Sequence, residues 1–212
     1  MKREERRAAT RQALAESALR LFTAQGVDAT TVEEIAAGAG VSPRTFFLHF
    51  PAKAAAVFPD HDLNLRRFRA ALAALPEGGD DVADVCRLLV RSIRSQAESQ
   101  FRQRRYGLVA GSEAVRDLDA RTDRDYEDAV AEHLVTRWGD EPRSVLAAQV
   151  VANVVLGVAR ATLLAWGRNG LDPVVSASAL FDRLVGSPLS GMAHDLRPLA
   201  PGSARPRMEA GR

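Results

Sequence analysis

Arg44, Thr45, Leu48 and His49 fall within one short run, VSPRTFFLHF, and make a set suited to a nucleic-acid duplex. A guanidinium pairs bidentately with guanine and an aliphatic side chain meets the thymine methyl. Hydroxyl and imidazole groups serve phosphate oxygens. Each has a plainer reading beside it. Arg44 can be a surface arginine or a phosphate clamp, Leu48 can pack on a neighbouring helix, and His49 can be a buried structural histidine. Thr45 fits a phosphate or a thymine. Thr31 and Lys53 stand at helix starts, where backbone N–H groups already favour phosphate. Phe46 and Phe50 lie four apart and belong to a core.

The elements that must hold these groups are two short helices joined by a tight turn. Thr31 is an N-cap with Glu34 three residues on, the spacing of a capping box. Val32, Ile35, Ala36 and Ala39 then share one helical face. Gly40 suits the turn. Ser42 caps the second helix and Pro43 takes its first position, where a missing N–H costs nothing. Ahead of this pair, Leu14, Ala18, Leu21 and Phe22 mark an amphipathic helix that ends at Gly26 and covers the pair. Residues 2–12 are charged, with five bases against two acids, and read either as an arm that folds on phosphates or as a frayed helix start.

The chain has 212 residues and a formal net charge of +2, so its overall charge does not announce a nucleic-acid partner. The argument rests on where the bases sit. The single cysteine, Cys86, rules out an intrachain disulfide framework. The start, MKREERRAATRQ, has no apolar leader. The most apolar stretch, 145–166, is interrupted by Gln149, Asn153, Gly157 and Arg160 and argues against a membrane span. No strand pattern and no internal repeat occur, which predicts an all-α chain in the cytoplasm, associated with the nucleoid if it binds DNA.

Beyond Lys53 the pattern predicts a helix from Pro51 that Pro59 breaks, then helices over 60–75, 80–100, 106–110, 112–138, 144–168 and 172–184. Asp80 or Asp81 caps the second of these. After Gly186 the proline- and glycine-rich tail reads as disordered. Candidates for a pocket are Phe68, Leu72, Cys86, Val90, Phe101 and Tyr106, followed by Tyr126, His133, Asn153 and Trp166. Asn153 is the sharpest, because an amide within an apolar helix needs a partner: an effector, a second subunit or a backbone carbonyl. For the aromatics, plain core is the competing reading. The best interface candidate is the small and apolar set Ala148, Val151, Ala152, Val155 and Ala159, with Ala177, Leu180 and Phe181. Enzyme readings find no support. The four histidines are scattered, and no nucleophile elbow, P-loop or dinucleotide fingerprint occurs, so neither cofactor nor metal is expected.

The segment from Leu14 to Phe58 resembles the N-terminal domain of TetR-family transcriptional regulators. The matching residues are Ala18, Leu21-Phe22 and Gly26; Thr30-Thr31-Val32 and Ile35-Ala36; Ala39-Gly40-Val41-Ser42, Thr45-Phe46-Phe47, His49-Phe50 and Lys53. The resemblance implies a helix-turn-helix DNA-binding domain over 1–50 and a larger helical effector-binding and dimerisation domain over 51–186. It also implies about nine helices, the last two forming a four-helix bundle across a homodimer. The set expected at the DNA is Thr31, Pro43, Arg44, Thr45, Phe47, Leu48, His49 and Lys53. Phe47 stands where this family usually has tyrosine, so one hydroxyl-to-phosphate bond is lost while the ring can still pack on a sugar.

Two functions fit this reading. One is a regulator, most simply a repressor, that binds a near-palindromic operator as a homodimer and is released by a small-molecule effector. The other is an effector-independent architectural or adaptor protein with the same DNA-binding head and a protein partner.

Overall fold

A computed structural model describes residues 2–185 and contains, among them, nine α-helices, one 3-10 turn and no strand. The helices are α1 (Lys2–Gln25), α2 (Val32–Gly38), α3 (Pro43–His49), α4 (His61–Ala73) and α5 (Asp81–Ala97). They continue with α6 (Gln100–Gly111), α7 (Glu113–Trp138), α8 (Pro142–Asn169) and α9 (Pro173–Val185). The expected tail over 187–212 lies outside the described residues.

Local chemistry set most of these boundaries. The capping box forms: Thr31 accepts from the Glu34 N–H, and the Glu34 carboxylate accepts from the Thr31 N–H at 2.8 Å. Gly40 takes φ +68° in the α2–α3 turn, a conformation that side-chain-bearing residues resist. Ser42 caps α3 through the Thr45 N–H, and Pro43 occupies the first turn.

Three expectations need correction. The charged N-terminus is not an arm but a solvated helix start: α1 is continuous from Lys2, with residues 3–9 exposed. The run after Pro51 is a 3-10 turn over Lys53–Val57, too short for the expected helix. The brief helix foreseen at 106–110 is a full helix, α6, with Ser99 as its cap.

Two apolar clusters organise the chain. The first gathers Leu14, Phe22, Ile35, Phe46 and Phe50 around α1–α3, and Val57 seals it. It is completed by Val109 of α6 and Val115 of α7, so the three-helix head is seated on the rest of the chain. The second cluster is built on α8, which packs against α7, α6 and α9. Helix α8 is long and apolar enough to cross a membrane by length and composition. Its buried face, including Ala148, Val151, Val155 and Ala159, is the spine of this cluster. At the α6–α8 crossing the backbones nearly touch: a Cβ on Gly167 would meet the Tyr106 backbone at 2.6 Å.

Candidate DNA-binding surface and inner cavity

The short helix α3 is held from below and bare above. Phe46 and Phe50 are fully buried with ring centroids 5.6 Å apart. Phe47 and Leu48, between them, are 58% and 67% exposed, and Arg44 is exposed in the first turn. An aromatic and a leucine both left in water on one short helix are not explained by the subunit's own packing. Arg44, Phe47 and Leu48 are thus presented together to solvent.

The other expected contacts are already partly engaged. The Thr31 hydroxyl donates to Glu34 Oε2 at 3.1 Å, within its capping box. The Thr45 hydroxyl lies 2.9 Å from Ser42 Oγ. Lys53 Nζ donates to the carbonyls of Asp28 and Thr30, at 3.1 and 3.0 Å, and so fastens the loop before α2. His49 is half-buried, and burial, then the Arg11 charge, lowers its pKa. Pro43 is exposed.

Arg11, in sequence one base among the five of residues 2–12, has an internal role. Its guanidinium donates to the carbonyl of His49, at the end of α3, and to that of Pro59. It also lies 4.3 Å from the centre of the Phe50 ring. One side chain thus ties α1, α3 and the segment before α4 together.

That segment is also a wall of an inner cavity. A space of about 390 Å³ lies between α4, α5, α6, α7 and α8, and Phe58, Pro59, Asp60 and His61 form one side of it. The volume suits a small organic molecule. Four of the expected pocket residues line it: Phe68, Phe101, Tyr106 and Tyr126. Tyr126 sits edge-on to Phe68 and His61, and the Tyr106 hydroxyl donates to Gln96. Leu72 and His133 face a separate, more open depression. Cys86 is packed in the core, where burial pushes its thiol up to about 12. Val90 packs half-buried against that core, and Trp166 is buried behind Tyr106, their centroids 6.4 Å apart. Asn153 is exposed and donates to the Gln149 carbonyl one turn back, so within the subunit its partner is the backbone carbonyl.

The charged lining was missed. Asp119 and Asp123, one turn apart on α7, face Arg160 of α8 at 3.5 and 3.0 Å. The only sequence signal was an i, i+4 acid pair in register with Tyr126. These contacts are off-line for hydrogen bonds, leaving Asp119 Oδ2 and Asp123 Oδ2 without donors. Burial, then the Asp119 charge, raises the Asp123 carboxyl to about 7 despite Arg160. The folded state therefore holds a proton between about pH 4 and pH 7 that the unfolded chain has released. Stability falls as pH rises through that window, and the full penalty is present above it. Asp123→Asn should melt higher than the native chain at pH 8 and level with it near pH 4. Equal melting temperatures at both pH values would show that Asp123 ionises normally.

The expected interface set is placed differently. Ala148, Val151, Ala152, Val155, Ala159, Ala177 and Phe181 are buried in the subunit's own core; of that set, Leu180 alone is exposed. Apolar periodicity identified α8 as buried but chose its intrasubunit face. The opposite face, with Leu146, Val150, Val154 and Ala161, is exposed or half-exposed and also largely apolar.

A helix-turn-helix head seated on a larger helical unit is the architecture of a class of DNA-binding regulators. The family model described as bacterial regulatory proteins, tetR family, matches residues 14–57, and the MftR C-terminal domain model matches residues 85–186. The chain belongs to the TetR family, and it is a transcriptional regulator rather than an enzyme. The HTH-type transcriptional regulator TcmR of Streptomyces glaucescens is 45% identical over 69 residues, which is 32% of this chain and 30% of TcmR. A TetR-family regulator from Streptomyces coelicolor aligns with TM-score 0.60 at 19% identity, covering 88% of this chain and 96% of that one. NalD, the secondary repressor of the MexAB-OprM efflux pump in Pseudomonas aeruginosa, aligns with TM-score 0.58 at 19% identity, covering 82% and 93%. FadR from Bacillus subtilis, solved in complex with stearoyl-CoA, aligns with TM-score 0.56 at 16% identity, covering 82% and 96%. These three likenesses are of fold.

Proposed function

We infer that the chain is a repressor that binds a near-palindromic operator as a homodimer and leaves it when a small molecule enters the inner cavity. Residues 1–50 act as the reading head, and residues 51–186 bind the effector and pair the subunits. The observation that carries this reading is Arg11. It grips the last turn of α3 and the Pro59 carbonyl of the cavity wall at once, so a molecule that displaces Pro59 also displaces the reading helix. An effector releases DNA only if it prefers a head spacing that the operator does not accept. The cavity favours this reading over the effector-independent architectural one, which has no use for it.

A single short reading helix offers few base contacts, and two-fold pairing doubles them. The exposed face of α8, together with Val175 and Leu180 of α9, is the surface for that pairing. In the cell such a protein is cytoplasmic and resides on the nucleoid.

The test is a selection on random duplex DNA with the whole chain at moderate salt. A recovered near-palindrome is the expected result; no enrichment by a folded dimer would hand the case to the architectural reading. On the recovered site, Arg44→Ala should cost about 1–3 kcal/mol while nonspecific binding barely changes. Equal losses on both would make Arg44 a phosphate clamp.

A further inference from the structure

We propose that the effector is a free organic acid with an apolar body, its carboxylate held inside the cavity between Arg102 and Arg105 of α6. The proposal rests on the effector reading above and gives that effector a chemistry.

Two other arginines of the interior lie beside acids. Arg160 faces Asp119 and Asp123, and Arg137 faces Asp81. Arg102 and Arg105 differ. They lie three apart, on one face of α6, and both line the cavity. Neither has an acid within ion-pair distance among the described residues, and the Arg102 guanidinium has no hydrogen bond there either. Burial lowers the Arg102 pKa, as expected for a guanidinium taken from water without a partner. Arg105 Nε is buried and has no acceptor. The Arg105 guanidinium lies 5.1 Å from the Phe58 ring centre and 4.4 Å from that of Tyr106, whose hydroxyl it also meets, and it acts on Asp119 and Asp123 from beyond ion-pair distance. Two half-buried guanidinium groups with no acid at ion-pair distance leave a place that a carboxylate between them fills with charge-assisted hydrogen bonds.

The rest of the lining fits the remainder of such a molecule. Phe68, Leu88, Leu89, Leu156 and Leu163 are buried apolar residues that also line the cavity. Counting formal charges, five arginines and three aspartates line the space, so it favours an anion. The remaining two arginines, Arg67 and Arg91, are exposed and line it from the solvent side. Their position separates two sources of the same amphipathic anion. A free acid places its charge inside, on Arg102 and Arg105. A coenzyme A conjugate, as in the FadR complex with stearoyl-CoA, would place a neutral thioester inside and phosphates near Arg67 and Arg91.

Calorimetric titration of the whole chain with octanoate, dodecanoate, palmitate and 2-naphthoate, each against its matching alcohol and its coenzyme A thioester, reads this directly. At least one acid should bind about tenfold or more tightly than its alcohol. Arg102→Gln should remove that advantage and leave alcohol binding unchanged, whereas Arg102→Lys should restore part of it. Arg102 is only half-buried, and an unchanged melting temperature confirms that its variants fold. Arg105→Gln then serves as a second reading of the same contact.

Acid and alcohol binding equally, no acid binding at all, or a thioester that binds more tightly than its acid and weakens with Arg67→Gln but not Arg102→Gln would each overturn the proposal. The wider regulator reading is scored separately on the selected DNA. If neutral molecules release the operator and acids do not, this proposal fails while that reading stands. If no operator is recovered but acids bind through Arg102, the reverse holds.

Discussion

Val155→Asp should abolish folding of the subunit, while Val154→Asp, one residue away, should leave a folded monomer. Val155 is 2% exposed and packs in the core cluster with Val151, Ala152, Leu156 and Ala159. An aspartate there buries a carboxylate without a partner, at a cost of several kcal/mol. Total stabilities of domains run about 5–15 kcal/mol, so most of the margin disappears. Val154 lies half-exposed on the outer face of α8. A charge there stays in water in the monomer and is buried only when two copies meet. Circular dichroism and light scattering separate the cases. A folded Val155→Asp monomer would mean that this face is not core. An unchanged Val154→Asp dimer would move the subunit interface away from the outer face of α8.

Asp81→Ala should be nearly as damaging, although Asp81 opens a helix far from the reading head. Asp80 is the true N-cap of α5 and accepts from the N–H groups of Val82 and Ala83. Asp81, 6% exposed, points inward and accepts from the Trp138 indole N–H at 2.7 Å. It also faces Arg137 at 3.3 Å, and Arg137 in turn donates to the carbonyls of Leu75 and Pro76. The carboxylate joins α5 to α7, and Arg137 carries the link on to the loop that follows α4. Its removal leaves a buried indole N–H and a guanidinium with no carboxylate beside it, at a cost of about 3–5 kcal/mol. At about 2–4 °C per kcal/mol for a chain of this size, melting should fall by at least about 6 °C. Asp81→Asn keeps an acceptor for Trp138 and should lose less. A drop of under about 2 °C for alanine would show that the network adds little.

These two sites mark where sequence reading stops. The caps of α2 and α3, the turn at Gly40 and the burial of Phe46 and Phe50 were legible because each depends on residues within about four positions. The all-α class follows from the same local signals, and the resemblance to the TetR head from the residues quoted over Leu14 to Phe58. Choosing between Asp80 and Asp81 as cap was not possible, because it depends on Trp138, which is remote in sequence. The apolar run of α8 showed that the helix is buried, but a helix apolar on most sides does not say which face meets its own subunit. Four aromatics of the cavity could be named, yet the other six of the ten expected pocket residues fell elsewhere, since the spacing of α4 through α8 selects what a cavity sees. The charged groups inside it, Arg102, Arg105, Asp119 and Asp123, look in sequence like any solvated helix face. Only the packing of α6 and α7 against α8 takes them out of water. Sequence alone determined most of the helices and the exposed face of α3, because those are set by short-range hydrogen bonding and periodicity. Tertiary structure decided the cavity, the Arg11 tie and the burial of charge, because each is a contact between residues far apart in the chain.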